Sequence, residues 1–163
     1  MWKCGNVEIW KFPHFHISTF PNFHIPPSPL RPIAAVSGIY DGAVGLFLLL
    51  AADRFAAIFG VAPAQPPIFS DLNGLFLLSV GVGYYWPYRD PAASRWYLWI
   101  MGVGLKSAGA LAFLLDYTLR GSPASFLLFA ASDGTLAVLT LAALLRSRAG
   151  SQRRGPRAPA RNA

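Results

Sequence analysis

Between residues 33 and 145 the chain is written almost entirely in apolar letters, divided by short polar loops into four runs of about twenty residues each. At a rise of 1.5 Å per residue, about twenty helical residues reach about 30 Å, the thickness of a hydrocarbon core. The runs fall at about 33–52, 68–86, 96–117 and 125–145. They are apolar all round, whereas a helix on a water-soluble domain keeps a polar face. A soluble bundle of four such helices would need that face, and none wide enough is present. The expected fold is all-α: a transmembrane four-helix bundle running up-down-up-down, with short loops making spans two and three antiparallel neighbours.

Composition agrees. The 163 residues suit one domain, and only 13% are charged, about half the usual share of a soluble domain. The net charge of +7 does not point to nucleic acid. Outside the spans the basic residues sit at the chain ends and in short loops, where anionic lipid head groups account for them, and no nucleic-acid-binding motif is present. The expected partners are the lipid bilayer and other membrane subunits or further copies of the chain. Cys4 is the sole cysteine, which excludes an intrachain disulfide, CxxC redox chemistry and a thiolate metal cage.

The loop charges orient the spans. With an even number of spans and the N-terminus inside, the inner segments hold Lys3, Lys11, Arg31, Arg89, Arg95, Arg146, Arg148, Arg153, Arg154, Arg157 and Arg161. The outer loops hold only Arg54 and Arg120. This positive-inside bias predicts a multi-pass protein of a bacterial inner membrane with both termini cytoplasmic. Tyr84, Tyr85, Trp86, Tyr88, Trp96, Tyr97 and Trp99 gather at the inner ends of spans two and three, and are expected to anchor as an interfacial aromatic belt. Residues 1–32, with prolines at 13, 21, 26, 27, 29 and 32, read as a flexible cytoplasmic tail. Its His14, His16 and His24 lack accompanying carboxylates or cysteines, so no metal site is expected. Residues 147–163, rich in Arg, Pro, Gly and Ala, read as a disordered tail.

The informative residues are charges placed where charge is costly. Asp41, Lys106 and Asp133 fall near the middle of spans one, three and four, and Asp71 toward the outer end of span two. Each central charge costs roughly 2.5–3.5 kcal/mol on insertion scales, so these side chains should face protein or a wet cavity. Helical spacing puts each on a stripe of small residues: Gly38, Asp41, Gly42 and Gly45; Asp71, Gly74, Leu78 and Gly81; Gly102, Lys106 and Gly109; Ala130, Asp133, Gly134 and Ala137. Small residues mark close helix packing in lipid. One polar interior seam of Asp41, Asp71, Lys106 and Asp133 is therefore expected. Lys106–Asp133 is its first pairing, from matched depth across a short loop, and Asp41 is the second candidate. One lysine cannot compensate three carboxylates, so at least one is expected protonated or hydrated. Tyr40, Asn73, Ser107 and Ser132, with Ser70 and Thr135, are candidates to line a cavity along the seam.

Tyr40-Asp41-Gly42 in span one, Gly81-Val-Gly-Tyr-Tyr closing span two, Gly104-Leu-Lys106 in span three and Ser132-Asp133-Gly134 in span four give residues 33–146 a layout that resembles the DoxX-like small bacterial four-span membrane proteins. The resemblance implies a four-helix bundle in the inner membrane, some members being similar to subunits of quinone-linked oxidoreductases. It carries no catalytic residue set.

No HExxH, Walker, Rossmann or GxSxG motif is present. Every histidine lies in the first twenty-four residues, so neither a catalytic triad nor intramembrane haem ligation is expected. No catalytic residue and no cofactor is assigned. The seam then has two readings. The first is a structural clasp in an accessory or assembly subunit. The alternative is a proton-linked carrier, or a quinone- or lipid-binding protein, that uses the same Lys and Asp residues.

Overall fold

The computed structural model describes residues 29–152, with side chains through residue 147. The proline-rich segment before residue 29, with its three histidines, and the arginine-rich end after residue 152 lie outside the described residues. Those described are all-helical, without a strand: α1 (Leu30–Phe59), α2 (Ile68–Gly83), α3 (Tyr85–Arg89), α4 (Arg95–Arg120) and α5 (Leu127–Gln152). A 3₁₀ turn, Ala124–Phe126, leads into α5.

Several boundaries differ from expectation, each for a local reason. α1 begins at Leu30 and takes Pro32 into its first turn, where the missing N–H has no intrahelical partner in any case. It continues past Ala52 to Phe59, but its helical dihedrals break at Ala51 (φ −152°, ψ 46°). The expected end of the span is thus a bend. Gly60 ends the helix in the left-handed region (φ 71°), its N–H reaching the Ala56 and Ala57 carbonyls. α2 stops at Gly83 because Pro87 offers no N–H to the Gly83 carbonyl and crowds it; Tyr84 then links it to α3. α5 runs on to Gln152, into the segment expected to be disordered.

Within α4 the hydrogen-bond register widens to π geometry over Leu98–Leu105 and again over Asp116–Arg120. The first stretch contains Gly102 and Gly104, both weak helix formers, and it delivers the chain directly to Lys106.

Packing falls into two helix pairs, α1 with α2 and α4 with α5, with lighter contact between α1 and α5. The α1–α2 pair closes on glycine. A Cβ at Gly45 would come within 2.6 Å of the Leu78 nitrogen, and one at Gly81 within 2.6 Å of the Gly42 nitrogen. Such backbone-to-backbone approach leaves no room for a side chain. Gly42 itself would direct a Cβ into open space.

At one end the pairs are joined by a packed core of Leu30, Ala34, Val80, Tyr84, Tyr97, Leu98, Ala143 and Leu144. There the Tyr97 hydroxyl donates to the Val80 carbonyl at 2.6 Å, filling the space that Gly83 leaves. The aromatic belt is corrected where its members turn inward, and Trp99 is half-buried against this core. Tyr84 and Tyr97 are buried core residues meeting edge-to-face at 5.2 Å, whereas Tyr85, Trp86, Tyr88 and Trp96 are exposed. The same end carries Arg31, whose guanidinium donates to the Arg89 carbonyl, and Arg95, which donates to the Leu144 carbonyl. The start of α1 and the far part of α5 therefore lie together.

The outside is strongly apolar, while charged side chains are buried within. Val36, Ile39, Leu50, Ile58, Phe69, Leu72, Leu128 and Val138 are exposed, while Asp41 and Lys106 retain 4% and 3% exposure. In water an apolar surface this extensive drives association; in hydrocarbon it is the required arrangement. Leu30–Phe59, Arg95–Arg120 and Ala124–Ser147 are each long and apolar enough to cross a membrane. α2, with 16 residues, covers about 24 Å, and the path continues through Tyr84 and α3.

Glycine packing yields a direct test. Gly45→Ala should destabilise the protein by about 1–3 kcal/mol through forced helix separation. Gly42→Ala on the same helix should be neutral or stabilise by up to about 1 kcal/mol, because alanine is the better helix former. Denaturant unfolding in mixed micelles measures both, and equal effects would contradict the close approach.

Candidate functional site

Asp41 lies on the buried face of α1 with Ala34, Ser37, Gly45 and Leu48, a 3.6-residue stripe. Lys106 follows the π stretch of α4 directly, and Asp133 is one turn before the buried Leu136 and Ala137 of α5. These three helices bring the three charges together. Lys106 Nζ donates to Asp41 Oδ1 at 2.8 Å and to Asp133 Oδ1 at 3.1 Å. The ammonium also stands 4.8 Å from the centre of the Tyr40 ring, within cation–π range. Lys106 thus bridges both candidate partners, and the shorter contact is to Asp41, the second candidate on sequence grounds.

Tyr40 extends the cluster. Its hydroxyl and the Ser132 Oγ are 2.8 Å apart. Ser132 Oγ also lies 2.8 Å from the Leu128 carbonyl, an arrangement that Tyr40 completes by donating to Ser132 when Ser132 donates to that carbonyl. Toward the packed end, Ser37 Oγ and Tyr84 OH are buried near each other without closing a hydrogen bond.

A partly enclosed cavity of about 300 Å³ lies against this cluster. Its polar lining is Tyr40, Asp41, Asn73, Lys106 and Asp133; its walls include Phe55, Phe76, Phe113, Phe126 and Phe129. The phenylalanines support one another. Phe129 stacks on Phe113 at 5.4 Å and on Phe55 at 5.9 Å, and Phe59 joins them 4.8 Å from Phe129. Ser125 Oγ donates to the Phe59 carbonyl at 2.6 Å, tying the end of α1 to the start of α5. Gly109 keeps the floor open, since a Cβ there would come 3.2 Å from Asp133 Oδ2.

The remaining expected site residues fall elsewhere. Asp71 is half-buried in the first turn of α2 and makes no ion pair with Lys106. The glycine contacts set its depth: Gly74 packs at the level of Gly45 and Leu49, so Asp71 sits about 10 Å further along the axis than Asp41 at 1.5 Å per residue. The α2 glycines serve the α1 contact and do not draw Asp71 into the seam. Ser107 is exposed and does not line the cavity, because the turn that buries Lys106 directs the next residue outward. Asn73 lines it from an otherwise exposed position, and Ser132 contributes through Tyr40. Asp116 binds Ser122 and Arg120 at the end of α4, a local cap. No cluster of metal-ligating side chains occurs among the described residues.

The aromatic wall was missed at the sequence level. Its signal was present as Phe55/Phe59 and Phe126/Phe129, spaced four and three apart, which places each pair on one helix face. No family model, curated protein or solved structure matches this chain.

The cluster predicts a specific mutational pattern. Lys106→Met should destabilise by about 3–5 kcal/mol, because it strands two buried carboxylates. Adding Asp133→Asn alone should recover only part of that loss, and adding Asp41→Asn as well should recover most of it. Unfolding of the single, double and triple variants in mixed micelles provides the readout. Full recovery in the Lys106→Met/Asp133→Asn double variant would mean that Asp41 is not a partner.

Proposed function

We propose that this protein is a multi-pass membrane protein, a four-helix bundle with an intramembrane binding site for a small, largely apolar ligand. In this reading it is a carrier, or a quinone- or lipid-binding protein, and the Lys106–Asp41–Asp133 cluster forms the polar end of the site. The observation that carries the proposal is the cavity of about 300 Å³ lined by all three members of the ion-paired cluster. An accessory subunit that uses the charges only as a clasp needs no space beside them, and close packing would be the more stable solution. A mostly apolar pocket with a few convergent polar groups is the ordinary form of a small-molecule site.

The orientation of the bundle follows the charges. One end carries Arg31, Arg89, Arg95 and Arg146 with Asp90; the other carries Arg54 and Arg120 with Asp53, Asp71 and Asp116. This asymmetry supports a bacterial inner membrane with the arginine-rich end cytoplasmic. Reporter fusions to the two chain ends should both report the cytoplasm, and opposite sides would refute the four-span arrangement.

The binding reading is tested on the purified full chain. Solvent extracts of the wild type should contain one apolar small molecule at near-stoichiometric amounts, read by mass spectrometry. Val44→Phe, which projects a ring into the cavity, should lose it while retaining the wild-type melting profile. Identical extracts from both proteins, together with a stoichiometric co-purifying protein, would favour the accessory-subunit reading instead.

A further inference from the structure

The cluster has an unbalanced charge. Asp41 and Asp133 supply two carboxylates, and Lys106 supplies one ammonium bonded to one oxygen of each. Among the described residues, the titratable groups facing the cluster are Tyr40 from α1, Tyr84 from the α2–α3 link and Tyr97 from α4, and none of them adds a positive charge. A net negative charge inside an apolar bundle is strongly disfavoured. One more unit of positive charge at this place restores neutrality, and a proton shared by the carboxylate pair is one way to supply it.

The cavity offers a second way to supply it. Asp133 is the member that looks into the open space: its side chain keeps 16% exposure against 6% for Asp41, and its Oδ2 lies outside the Lys106 contact, over Gly109. The same cavity is lined by the rings of Phe55, Phe76, Phe113 and Phe129. Aromatic faces attract a cation most strongly when water is excluded, whereas an anion would meet both the ring quadrupoles and the excess carboxylate.

Resting on the binding reading above, we infer that the ligand is a lipophilic monocation, and that it exchanges for the proton: one cation enters the aromatic cavity beside Asp133 as one proton leaves the carboxylate pair for solvent. The charge of the site is unchanged by the exchange, so neither state leaves an uncompensated ion in the bundle. The packed core of Leu30, Val80, Tyr84, Tyr97 and Leu144 closes the arginine-rich end, so the cation reaches the site from the side bearing Phe55 and Phe126.

The experiment uses the full chain in lipid nanodiscs and three probes of nearly one shape: phenyltrimethylammonium, its neutral isostere tert-butylbenzene, and benzenesulfonate. The cation should bind at least tenfold more tightly than either of the others. Calorimetry in two buffers of different ionisation enthalpy should report close to one proton released per cation bound. Below the pH at which that proton is lost unaided, cation affinity should rise about tenfold per pH unit, the slope of a one-for-one exchange. Asp133→Asn should collapse both the cation preference and the proton release, with circular dichroism and melting reporting whether the helices remain intact. Equal or tighter binding of the neutral isostere, or cation binding without proton release in the wild type, would overturn the exchange while leaving an apolar-ligand site standing. Failure of all three probes to bind would overturn the binding reading itself.

Discussion

Lys106 is the one side chain that ties α1, α4 and α5 together through charge among the described residues. The two helix pairs each have their own adhesive: backbone contact through Gly45, Gly74 and Gly81 in one, and Gly102 against Thr140 with Gly134 against Ala110 in the other. Between the pairs α1 meets α4 and α5 more lightly than the helices meet within each pair. There one ammonium reaches from α4 to a carboxylate on α1 and another on α5. In hydrocarbon such a group has no water to retreat to, so pulling the pairs apart would strand the ammonium together with its carboxylate partners. The same interaction on a soluble surface would contribute little.

That energetic severity is also why much of the fold was legible in the sequence. Helices at three of the four apolar runs satisfy the length and composition needed to cross a membrane, and the central charges had to point inward. Asp41, Lys106 and Asp133 do meet, because depth along a helix can be counted at 1.5 Å per residue and the penalty for facing lipid is several kcal/mol. Small residues beside charges marked the faces used for packing, although in α2 they mark the contact with α1 and leave Asp71 in its own first turn.

Features that depend on rotation and on distant neighbours were not legible. The π stretch over Leu98–Leu105 changes the angular position of everything before Lys106, and no residue pattern announces it beyond two glycines. Tyr84 and Tyr97 look like interfacial anchors by composition, yet each has a specific inward opportunity. Tyr97 finds the Val80 carbonyl beside Gly83, and Tyr84 packs edge-on against Tyr97. The phenylalanine wall draws on α1, α2, α4, the 3₁₀ turn and α5. It exists only once the bend at Ala51 has carried Phe55 and Phe59 over the start of α5, where Ser125 fastens the Phe59 carbonyl.

Packing and cavity follow from one distribution of side-chain size. Toward the arginine-rich end, Ala34, Ala143 and Gly83 are small enough for Tyr84, Tyr97 and Leu98 to fill the centre, and the interior closes. Past Asp41 the residues facing the centre become Val44, Leu48 and Phe55 on α1, Phe126 in the 3₁₀ turn and Phe129 at the start of α5. Rings that stack on one another line the space there without filling it. The charged cluster therefore sits at a boundary, with a packed interior on one side and an open aromatic chamber on the other. A lysine clasp placed within the packed half would have been dry and inert; at this boundary its second carboxylate is left facing the chamber.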